Sequence, residues 1–465
     1  MPVLRPYQQD AVTRIRAAFA RRVRRVVLVL PTGGGKTVTF VFIADSAAAR
    51  GKRVLLLCHR QELVDQISAA LTAAGTPHGI IAAGYPETPG PVQVASIPTL
   101  ARRLDRIEAP DLIVVDEAHH VVADSWSAIL DAFLAARVLG VTATPERADG
   151  RGLGETFDEM VIGPSVAELI ALEHLVPPVV YAPSTRLDLS KVATRAGDYD
   201  PGQLAAVMSS AALVGDAVAH YQRLAAGLPA VAFCVSRAHS ELVAERFRAA
   251  GIAAAHIDGN TPQAERRAML AALGTGGLQV LANCGLVSEG VDVPAIGAAI
   301  LLRPTKSPGL YLQQVGRALR TSPGKTRALI LDHAGNSLMH GLPDEDREWT
   351  LDAKPRRARK AAPEAAGRLR RCPACDALAT AGTPVCGACG EPLRPTPEEQ
   401  AAIDAELVRH ERETAAALRA MDYPAVVRWA DTPERLAVAA RVKGYNPGWV
   451  RHRLREMAGA MVRAT

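Results

Sequence analysis

The sequence has few aromatic residues and no long apolar run. Phenylalanine, tyrosine and tryptophan make up 4% of its 465 residues, so alanine, valine and leucine must fill most of any core. No apolar stretch reaches the roughly 18 residues that a membrane span needs. The N-terminus, Met1 to Tyr7, lacks the apolar core of a signal peptide. We therefore expect a cytoplasmic protein without a membrane partner.

Charge is nearly balanced over the whole chain but not along it. The formal net charge is +6, whereas eight cationic residues and one acidic residue lie between Lys354 and Arg371. Such a basic segment suits the phosphate backbone of a nucleic acid. A solvated linker would have the same composition, so both interpretations stay open here.

Short apolar runs alternate with helical stretches over residues 26–332. Near-continuous apolar runs between helices indicate parallel strands that are covered on both faces, which is α/β architecture. The predicted strands are Val26–Leu30, Val54–Leu57, Val92–Ser96, Leu112–Val115, Val138–Val141, Ala230–Cys234, Ala253–Ile257, Val280–Ala282, Ala298–Leu302 and Ala328–Leu331. Ten strands are too many for one ordinary unit of about 150 residues, so we expect two α/β domains.

The break between the two domains is expected near Gly163-Pro164, and the strand signal stops after Asp332. An arginine-, alanine- and proline-rich stretch follows, then four cysteines, then a stretch with apolar residues at helical spacing. The predicted segments are 1–164 and 165–350 for the α/β domains, 351–371 for a basic linker, 372–395 for a metal-binding ribbon and 396–465 for a helical C-terminal region.

A glycine-rich loop follows the first predicted strand and precedes a helical stretch. Its sequence is Pro31-Thr32-Gly33-Gly34-Gly35-Lys36-Thr37. Successive glycines let backbone N–H groups surround a phosphate, and the helix start adds its positive dipole end. In such a loop the lysine reaches the β- and γ-phosphates of ATP, and the threonine hydroxyl holds Mg²⁺. Leu30 stands where the strict pattern has its first glycine, so this is a shorter variant of the loop.

Two acidic residues end the apolar run Leu112–Val115. Asp116 and Glu117 follow the phosphate loop by about 80 residues, and a carboxylate at the carboxyl end of a parallel strand faces the ligand crevice. We expect Asp116 to bind Mg²⁺ and Glu117 to orient and deprotonate the attacking water. His119 is a candidate for coupling this site to the neighbouring domain.

With these elements in place, residues 4–335 resemble a superfamily 2 helicase of the DEAH-box kind. The motifs appear in the order of that family, and the resemblance implies two tandem RecA-like domains with an ATP site between them. The matching segments are Leu4–Gln8, Cys58–Gln66, Ser96–Leu100, Asp116–His119, Thr142–Pro145, Phe233–Ser236, Ser288–Pro294 and Gln313–Arg320.

The resemblance assigns roles to several of these residues. Gln8 would read the adenine edge with support from Arg5, and the segments around residues 58–66 and 96–100 would contact the nucleic-acid backbone. Gly290 and Asp292 would belong to the nucleotide site. Asn283-Cys284-Gly285 stands where many helicases have a threonine, so we expect one hydroxyl contact to the strand to be absent.

The segment Gln313–Arg320 contains two arginines three residues apart, which share one face of a helix. A planar, permanently charged guanidinium suits the negative charge that spreads over a γ-phosphate in its transition state. The resemblance makes Arg317 and Arg320 finger residues from the second domain, and Gln313 part of the same site. Hydrolysis would then depend on closure of the two domains.

Four of the seven cysteines form two C-x-x-C pairs that are separated by ten residues. Four thiolates favour a closed tetrahedral site for structural Zn²⁺, and a small segment needs such a metal because it has little core. An iron–sulfur centre is the alternative. The expected ligands are Cys372, Cys375, Cys386 and Cys389.

The helicase motifs followed by such a ribbon resemble the bacterial RadD-like (YejH-like) DNA-repair helicases. The segment Lys443-Gly444-Tyr445-Asn446-Pro447-Gly448-Trp449 is similar to one that we associate with that group. The resemblance implies work on single-stranded or branched DNA in repair or recombination, with single-strand-binding protein or recombination factors as partners. Tyr445 and Trp449 lie among arginines, so they could stack on bases or form a small core.

These observations favour an ATP-dependent DNA helicase or translocase. An RNA helicase, a motor subunit of a restriction system, and a clamp or remodeller in which ATP only closes the two domains are the alternatives. Intact Glu117, Arg317 and Arg320 argue against an inactive ATPase, but they do not separate a clamp from a translocase.

Overall fold

The computed structural model describes residues 2–120, 124–146, 152–183, 187–195, 197–209, 211–285, 293–352, 369–393 and 413–462. These residues form two compact units. One comprises residues 1–380 and 386–391, and the other comprises residues 381–385 and 392–465. The first unit contains both α/β lobes and the four cysteines, and the second contains the helical tail.

The first lobe is a seven-stranded, entirely parallel sheet with the order β3-β4-β2-β5-β6-β1-β7. Its strands are β1 (Arg25–Val29), β2 (Val54–Cys58), β3 (His78–Ile81), β4 (Val92–Ser96), β5 (Leu112–Asp116), β6 (Arg137–Thr142) and β7 (Glu159–Ile162). Its helices are α1 (Pro6–Ala20), α2 (Lys36–Ala48), α3 (Gln61–Ala73), α4 (Ile97–Leu100) and α5 (Asp124–Ala132).

The second lobe is a six-stranded parallel sheet with the order β12-β13-β11-β14-β15-β8, accompanied by the short hairpin β9–β10. The strands are β8 (Pro178–Tyr181), β9 (Thr194–Arg195), β10 (Asp198–Tyr199), β11 (Ala230–Phe233), β12 (Ala254–Ile257), β13 (Val280–Asn283), β14 (Ala298–Leu301) and β15 (Ala328–Asp332). The helices are α6 (Val166–Ala171), α7 (Pro201–Met208), α8 (Ala211–Leu224), α9 (Arg237–Ala249), α10 (Gln263–Thr275), α11 (Pro308–Ala318) and α12 (Asn336–His340).

Both sheets are apolar on both faces, as the continuous hydrophobic runs predict. All five residues of β2, β5 and β15 are buried. In the first lobe, one side of the sheet packs a core around Leu28, Leu56 and Val114, and the other side packs a core around Leu55 and Val115. The predicted fold of two tandem parallel-sheet domains is therefore confirmed.

The cysteine segment contributes a short antiparallel hairpin, β16 (Leu369–Arg371) and β17 (Leu378–Thr380), to the first unit. Leu378 is buried in the core of the second lobe. Arg371 Nη2 donates to the backbone oxygens of Ala182 and Pro183, at 2.7 and 2.6 Å, just beyond edge strand β8. This end of the predicted basic linker is thus an anchor for the hairpin.

The second unit is helical in its described part, as the sequence predicts. Residues 413–420 form a helix, followed by α13 (Tyr423–Trp429), α14 (Pro433–Lys443) and α15 (Pro447–Val462). Most of the predicted basic linker (residues 353–368), the last two residues of the predicted ribbon (394–395) and the expected start of the helical region (396–412) lie outside the described residues. None of the described helices combines the length and the apolarity that crossing a membrane requires.

Candidate functional site

The candidate site is a cavity of about 310 Å³ between the two lobes. In parallel sheets the carboxyl ends of the strands meet at one edge, and this edge of the first sheet carries the loop after β1 and the acids at the end of β5. Residues of both lobes line the cavity: Arg5, Thr32, Gly33, Gly35, Lys36, Thr37, Asp116, Glu117, His174, Arg317 and Arg320 are among them. These residues, which include sequence-predicted nucleotide residues of both lobes, therefore meet at one cavity.

The loop after β1 has the backbone of a phosphate cradle. Gly33 and Gly35 adopt φ values of +86° and +80°, which favour glycine, and α2 begins at Lys36. A β-carbon on Gly35 would come 2.3 Å from Gln8 Nε2, so a larger residue at this position would have to displace the Gln8 amide. Lys36 Nζ donates to the backbone oxygen of Leu30 at 3.4 Å. Burial lowers the pKa of Lys36, while Glu117 and Asp116 act in the opposite direction.

Gln8 braces this loop from the N-terminal segment. Its Nε2 donates to the oxygens of Gly34 and Gly35 at 3.4 and 3.3 Å, and its Oε1 accepts from the N–H of Arg5 at 2.9 Å. The side chain is 2% exposed, and its amide already has partners on both ends. Arg5 lines the cavity. Reading of the adenine edge by Gln8 therefore remains a prediction.

The two acids lie buried at the end of β5. The N–H of Glu117 donates to Asp116 Oδ1 at 3.0 Å, and Glu117 has a φ of +51°. For a residue other than glycine this left-handed conformation costs about 1–2 kcal/mol, so the surrounding structure must hold the carboxylate in place.

A chain of polar contacts leads from Glu117 towards the second lobe. His119 Nδ1 lies 3.4 Å from Glu117 Oε2 and 3.1 Å from Thr142 Oγ1. Thr142 Oγ1 donates to the oxygen of Thr144 at 2.8 Å. A β-carbon on Gly309, in the first turn of α11, would lie 2.7 Å from Thr144 Oγ1. These contacts thus connect Glu117, at the edge of the first sheet, with α11 of the second lobe.

Helix α11 presents the predicted arginine face to the cleft. Arg317 is buried and lines the cavity with Arg320, which lies just beyond the end of α11. Gln313 is buried on α11 at 3% exposure, but it is not among the residues that line the cavity. Gly290 and Asp292 lie outside the described residues, so their predicted contact with the nucleotide is not described.

Motif-based reasoning missed His174, which lines the same cavity from the second lobe. Its ring lies 5.6 Å from that of Tyr7, with an interplanar angle of 49°. Burial, together with the nearby charge of Arg5, lowers the pKa of His174. The sequence carried no signal for it, because His174 belongs to no motif and reaches the site only through the packing of the lobes.

A second set of contacts joins the lobes away from the cavity. Arg266 of α10 forms an ion pair with Glu62 of α3, and Gln263 Nε2 donates to Asp65 Oδ2 at 2.6 Å. Arg60 Nη1 donates to the oxygen of Gly285 at 2.8 Å. These contacts join the start of α3 in the first lobe to α10 and the turn after β13 in the second.

The four cysteines form a separate site. Their Sγ atoms all lie within 4.8 Å of one another, with Cys372–Cys389 at 3.6 Å and Cys375–Cys386 at 3.7 Å. A tetrahedral ion with metal–sulfur bonds of about 2.3 Å needs sulfur–sulfur distances of about 3.8 Å, so the donor set fits. Each knuckle closes through a residue with positive φ, namely Asp376 at +63° and Gly390 at +78°.

Comparisons with known proteins place this geometry in a family. Residues 1–147 match the type III restriction enzyme res subunit family, and residues 216–322 match the helicase conserved C-terminal domain. The 51.5 kDa protein of Lactococcus phage (isolate 7-9) is 34% identical over 385 residues, covering 82% of each chain.

A relative from yeast and a solved structure are also similar to this chain. A Saccharomyces cerevisiae protein named as the ATP-dependent helicase IRC3 is 33% identical over 336 residues, covering 68% of this chain and 49% of its own. The chain thus spans about half the length of that relative. The ATP-dependent Type ISP restriction-modification enzyme LlaBIII, in a structure bound to DNA, has a similar fold with a TM-score of 0.53 at 20% identity, covering 71% of this chain and 27% of its own. The chain belongs to the superfamily 2 helicases, which are nucleic-acid-dependent ATPases, and within them it is related to restriction-type and Irc3-like helicases.

Proposed function

We propose that the protein is an ATP-dependent DNA translocase or helicase whose catalytic site spans both lobes. One observation carries this proposal: Lys36, Asp116 and Glu117 of the first lobe line a single cavity with Arg317 and Arg320 of the second. Hydrolysis of ATP needs all of these groups together, so it is tied to the relative position of the lobes. Motion of the lobes during turnover is what a motor requires.

In this proposal each side chain has one chemical task. Lys36 and the loop Thr32–Gly35 would hold the β- and γ-phosphates, and Thr37 with Asp116 would hold Mg²⁺, whose charge would offset the negative charge of the phosphates. Glu117 orients water for in-line attack on the γ-phosphorus and accepts its proton. Arg317 and Arg320 stabilise the charge that develops on the γ-phosphoryl oxygens.

Gln313, Gly290 and Asp292 complete the nucleotide site in the same proposal. Gln313 lies one helical turn before Arg317 on α11, so we propose that it helps to position the attacking water or that arginine. For Gly290 and Asp292 the proposal rests on the motif resemblance, and Arg5 with Gln8 is proposed to serve the adenine end of the site.

We propose that the motor moves along DNA. One observation favours it over RNA: residues 1–147 match a restriction-enzyme family. Single-stranded or branched DNA, a role in repair or recombination, and contact with single-strand-binding protein belong to the RadD-like resemblance. A second candidate function, the motor of a restriction system, is favoured by the same restriction-type relatives and would need a nuclease partner.

We also propose that the four cysteines bind structural Zn²⁺. The closed, tetrahedral set of thiolates supports this ion, since all four positions are filled by protein ligands. Because the hairpin β16–β17 is anchored to the second lobe by Leu378 and Arg371, the metal would stabilise that lobe rather than take part in hydrolysis.

The roles proposed for the side chains of the two lobes are tested by measuring nucleotide binding and hydrolysis separately. Arg317→Ala should bind ATP almost as well as the wild type but slow single-turnover hydrolysis roughly 10³-fold or more, because an arginine finger acts mainly in the transition state. Equal losses of binding and hydrolysis would contradict a finger role. In the wild type, ATP-driven displacement of a triplex strand from duplex DNA reports translocation. An active ATPase that displaces no strand would favour a clamp.

A further inference from the structure

Polar side chains of helix α3 in the first lobe meet polar side chains of helix α10 in the second. Glu62 forms an ion pair with Arg266. Asp65 Oδ2 accepts from Gln263 Nε2 at 2.6 Å, and it also lies 3.4 Å from Arg267 Nη2. We call Glu62, Asp65, Gln263 and Arg266 the α3–α10 contact. It joins the two lobes through groups that are separated by about 200 residues in the chain.

The guanidinium of Arg266 is oriented by its own lobe. Its Nε donates to the oxygen of Thr261 at 2.6 Å, and its Nη2 donates to the oxygen of Gly259 at 2.8 Å. Its Nη1 is the atom that pairs with Glu62 of the first lobe. The side chain of Arg266 is only 16% exposed, so this pair is shielded from the solvent that makes open surface pairs weak.

The carboxylate of Asp65 is oriented by its own lobe in the same way. Its Oδ1 accepts from the hydroxyl of Tyr85, which follows β3 in the first lobe, and its Oδ2 accepts from Gln263 in the second. One oxygen therefore bonds within the lobe, and the other bonds across to α10. Because each charged group is already held on its own side, little side-chain freedom is lost when the lobes meet.

Helix α3 connects this contact to the nucleotide cavity. Glu62 and Asp65 are three residues apart and so share one face of the helix. Leu63 and Gln66, the residues that follow them, line the cavity. Leu63 is also buried in the core of the first lobe. A movement of α3 against α10 would therefore move part of the cavity wall.

Helix α10 connects the contact to the cavity from the second lobe. Leu273 of α10 is buried in the same core as Val293 and as Val315 of α11. Pro294, which follows Val293, lines the cavity, and so does Arg317, two residues after Val315 on α11. Packed side chains thus link the α3–α10 contact to the arginine that the second lobe contributes to the site.

We propose that Glu62, Asp65 and Arg266 are positioning residues for ATP hydrolysis. Their contact sets the second lobe against the first so that Arg317 reaches the γ-phosphate. This inference rests on the proposed motor function and adds to it the residues that fix the relative position of the lobes. Since none of these three is among the residues that line the cavity, their loss should act on hydrolysis through Arg317 and leave ATP binding nearly unchanged.

The first test measures hydrolysis and ATP binding separately in Glu62→Gln, which removes the charge but keeps the size of the side chain. The single-turnover rate with saturating DNA should fall roughly 10- to 100-fold, because a small misplacement of a reacting group has an effect of that order. Affinity for ATP should change little. Glu265→Gln, the same change at an exposed carboxylate in the first turn of α10, is the control and should hydrolyse ATP like the wild type.

Either of two results from these measurements would overturn the proposal. One is a wild-type rate in Glu62→Gln, which would make the ion pair irrelevant to hydrolysis. The other is an equal loss of rate and of ATP affinity, which would indicate damage to the first lobe rather than a misplaced Arg317.

A double-mutant cycle tests whether Glu62 and Arg266 act as a pair. The double variant Glu62→Gln/Arg266→Gln should hydrolyse ATP about as fast as the slower single variant, because the same contact is lost in each. Arg266→Lys keeps the charge and should retain more activity than Arg266→Gln. Losses that multiply in the double variant would mean that the two residues act separately, which contradicts the proposal.

Hydrogen–deuterium exchange with AMP-PNP tests the positioning role without turnover. In the wild type, AMP-PNP should slow exchange both in the phosphate loop, residues 31–37, and in α11. In Glu62→Gln the loop should still be protected but α11 should not, because Arg317 no longer reaches the γ-phosphate. Equal protection of α11 in both proteins would overturn the positioning role. A wild type in which AMP-PNP protects neither segment would instead contradict the proposed ATP site itself.

Discussion

Gly316 of the second lobe faces Thr32 of the phosphate loop so closely that a β-carbon on Gly316 would lie 2.5 Å from Thr32 Cβ. This position on α11 is one residue before Arg317. The absence of a side chain therefore lets the helix that carries the arginine approach the loop that carries Lys36.

The methyl group that Gly316→Ala adds should push α11 of the second lobe away from the phosphate loop of the first. Overpacking at such a contact costs about 1–3 kcal/mol. If this cost destabilises the closed arrangement of the lobes in which ATP is hydrolysed, kcat should fall roughly 10- to 100-fold. ATP binding, which depends mainly on the first lobe, should change little. Gly274→Ala on α10 is the control, because its β-carbon would come no closer than 3.7 Å to Val293 Cγ1. Normal kcat in Gly316→Ala would show that catalysis does not need this close approach.

His174 is expected to pack on the adenine ring, because it lines the cavity near Arg5 and lies beside Tyr7. An aromatic contact contributes about 0.5–1.5 kcal/mol, so His174→Ala should raise KM for ATP up to roughly 10-fold with little change in kcat. His174→Phe should restore most of the affinity. Steady-state kinetics with ATP, and with a nucleotide of different base, checks this. A loss confined to kcat would instead indicate a catalytic task.

Acid should destabilise the second lobe through His239. Burial lowers the pKa of His239 to about 4, and its Nδ1 accepts from the N–H of Val235 at 3.4 Å. The unfolded chain takes up this proton near pH 6.5, so the folded state loses stability as the pH falls from about 6.5 towards 4. The loss is on the order of 2 kcal/mol by about pH 5.

The measurement is the unfolding midpoint of the wild type and of His239→Asn between neutral pH and pH 5. Asparagine keeps an acceptor for Val235 but does not titrate, so the variant should lose part of this acid dependence. Parallel pH profiles for the two proteins would mean that His239 is not buried in its neutral form.

Metal removal should loosen the β16–β17 hairpin. Metal analysis is expected to give about one zinc ion per chain, and Cys375→Ser should lose most of it, because a closed tetrahedral site tolerates poorly the loss of one thiolate. The hairpin should then become sensitive to proteolysis between Leu369 and Glu391, since Arg371 and Leu378 would no longer anchor it. A Cys375→Ser protein with full zinc content would refute this assignment, and an iron-containing protein would support the alternative cluster.

The strands of both sheets could be predicted because they are buried on both faces, which makes each one a continuous apolar run. All ten predicted strands are present. Strands β3, β7 and β8 were missed, since each is a four-residue strand at the edge of its sheet in which at least two residues are not buried. Edge strands carry a weaker hydrophobic pattern than central ones.

Site residues could be predicted where a local sequence motif specifies their chemistry. They could not be predicted where contacts between distant segments bring them to the site. Lys36, Asp116 and Arg317 stand in recognisable spacings, and the structure brings them to one cavity. His174 and the engaged amide of Gln8 follow from contacts between segments that are distant in the chain, which a single sequence does not reveal. Anchoring of Arg371 on Ala182 is of the same kind, because the sequence suggested only a solvated or DNA-binding linker.

The most direct test of the motor proposal is the steady-state ATPase rate at fixed salt, alone and with single-stranded DNA, duplex DNA or RNA. Lys36→Ala, which lacks the phosphate-binding charge, serves as the blank and should show almost no turnover with any of them. The proposal predicts strong stimulation of the wild type by DNA and little by RNA. Stimulation by RNA alone, or a rate that no nucleic acid changes, would contradict a DNA motor.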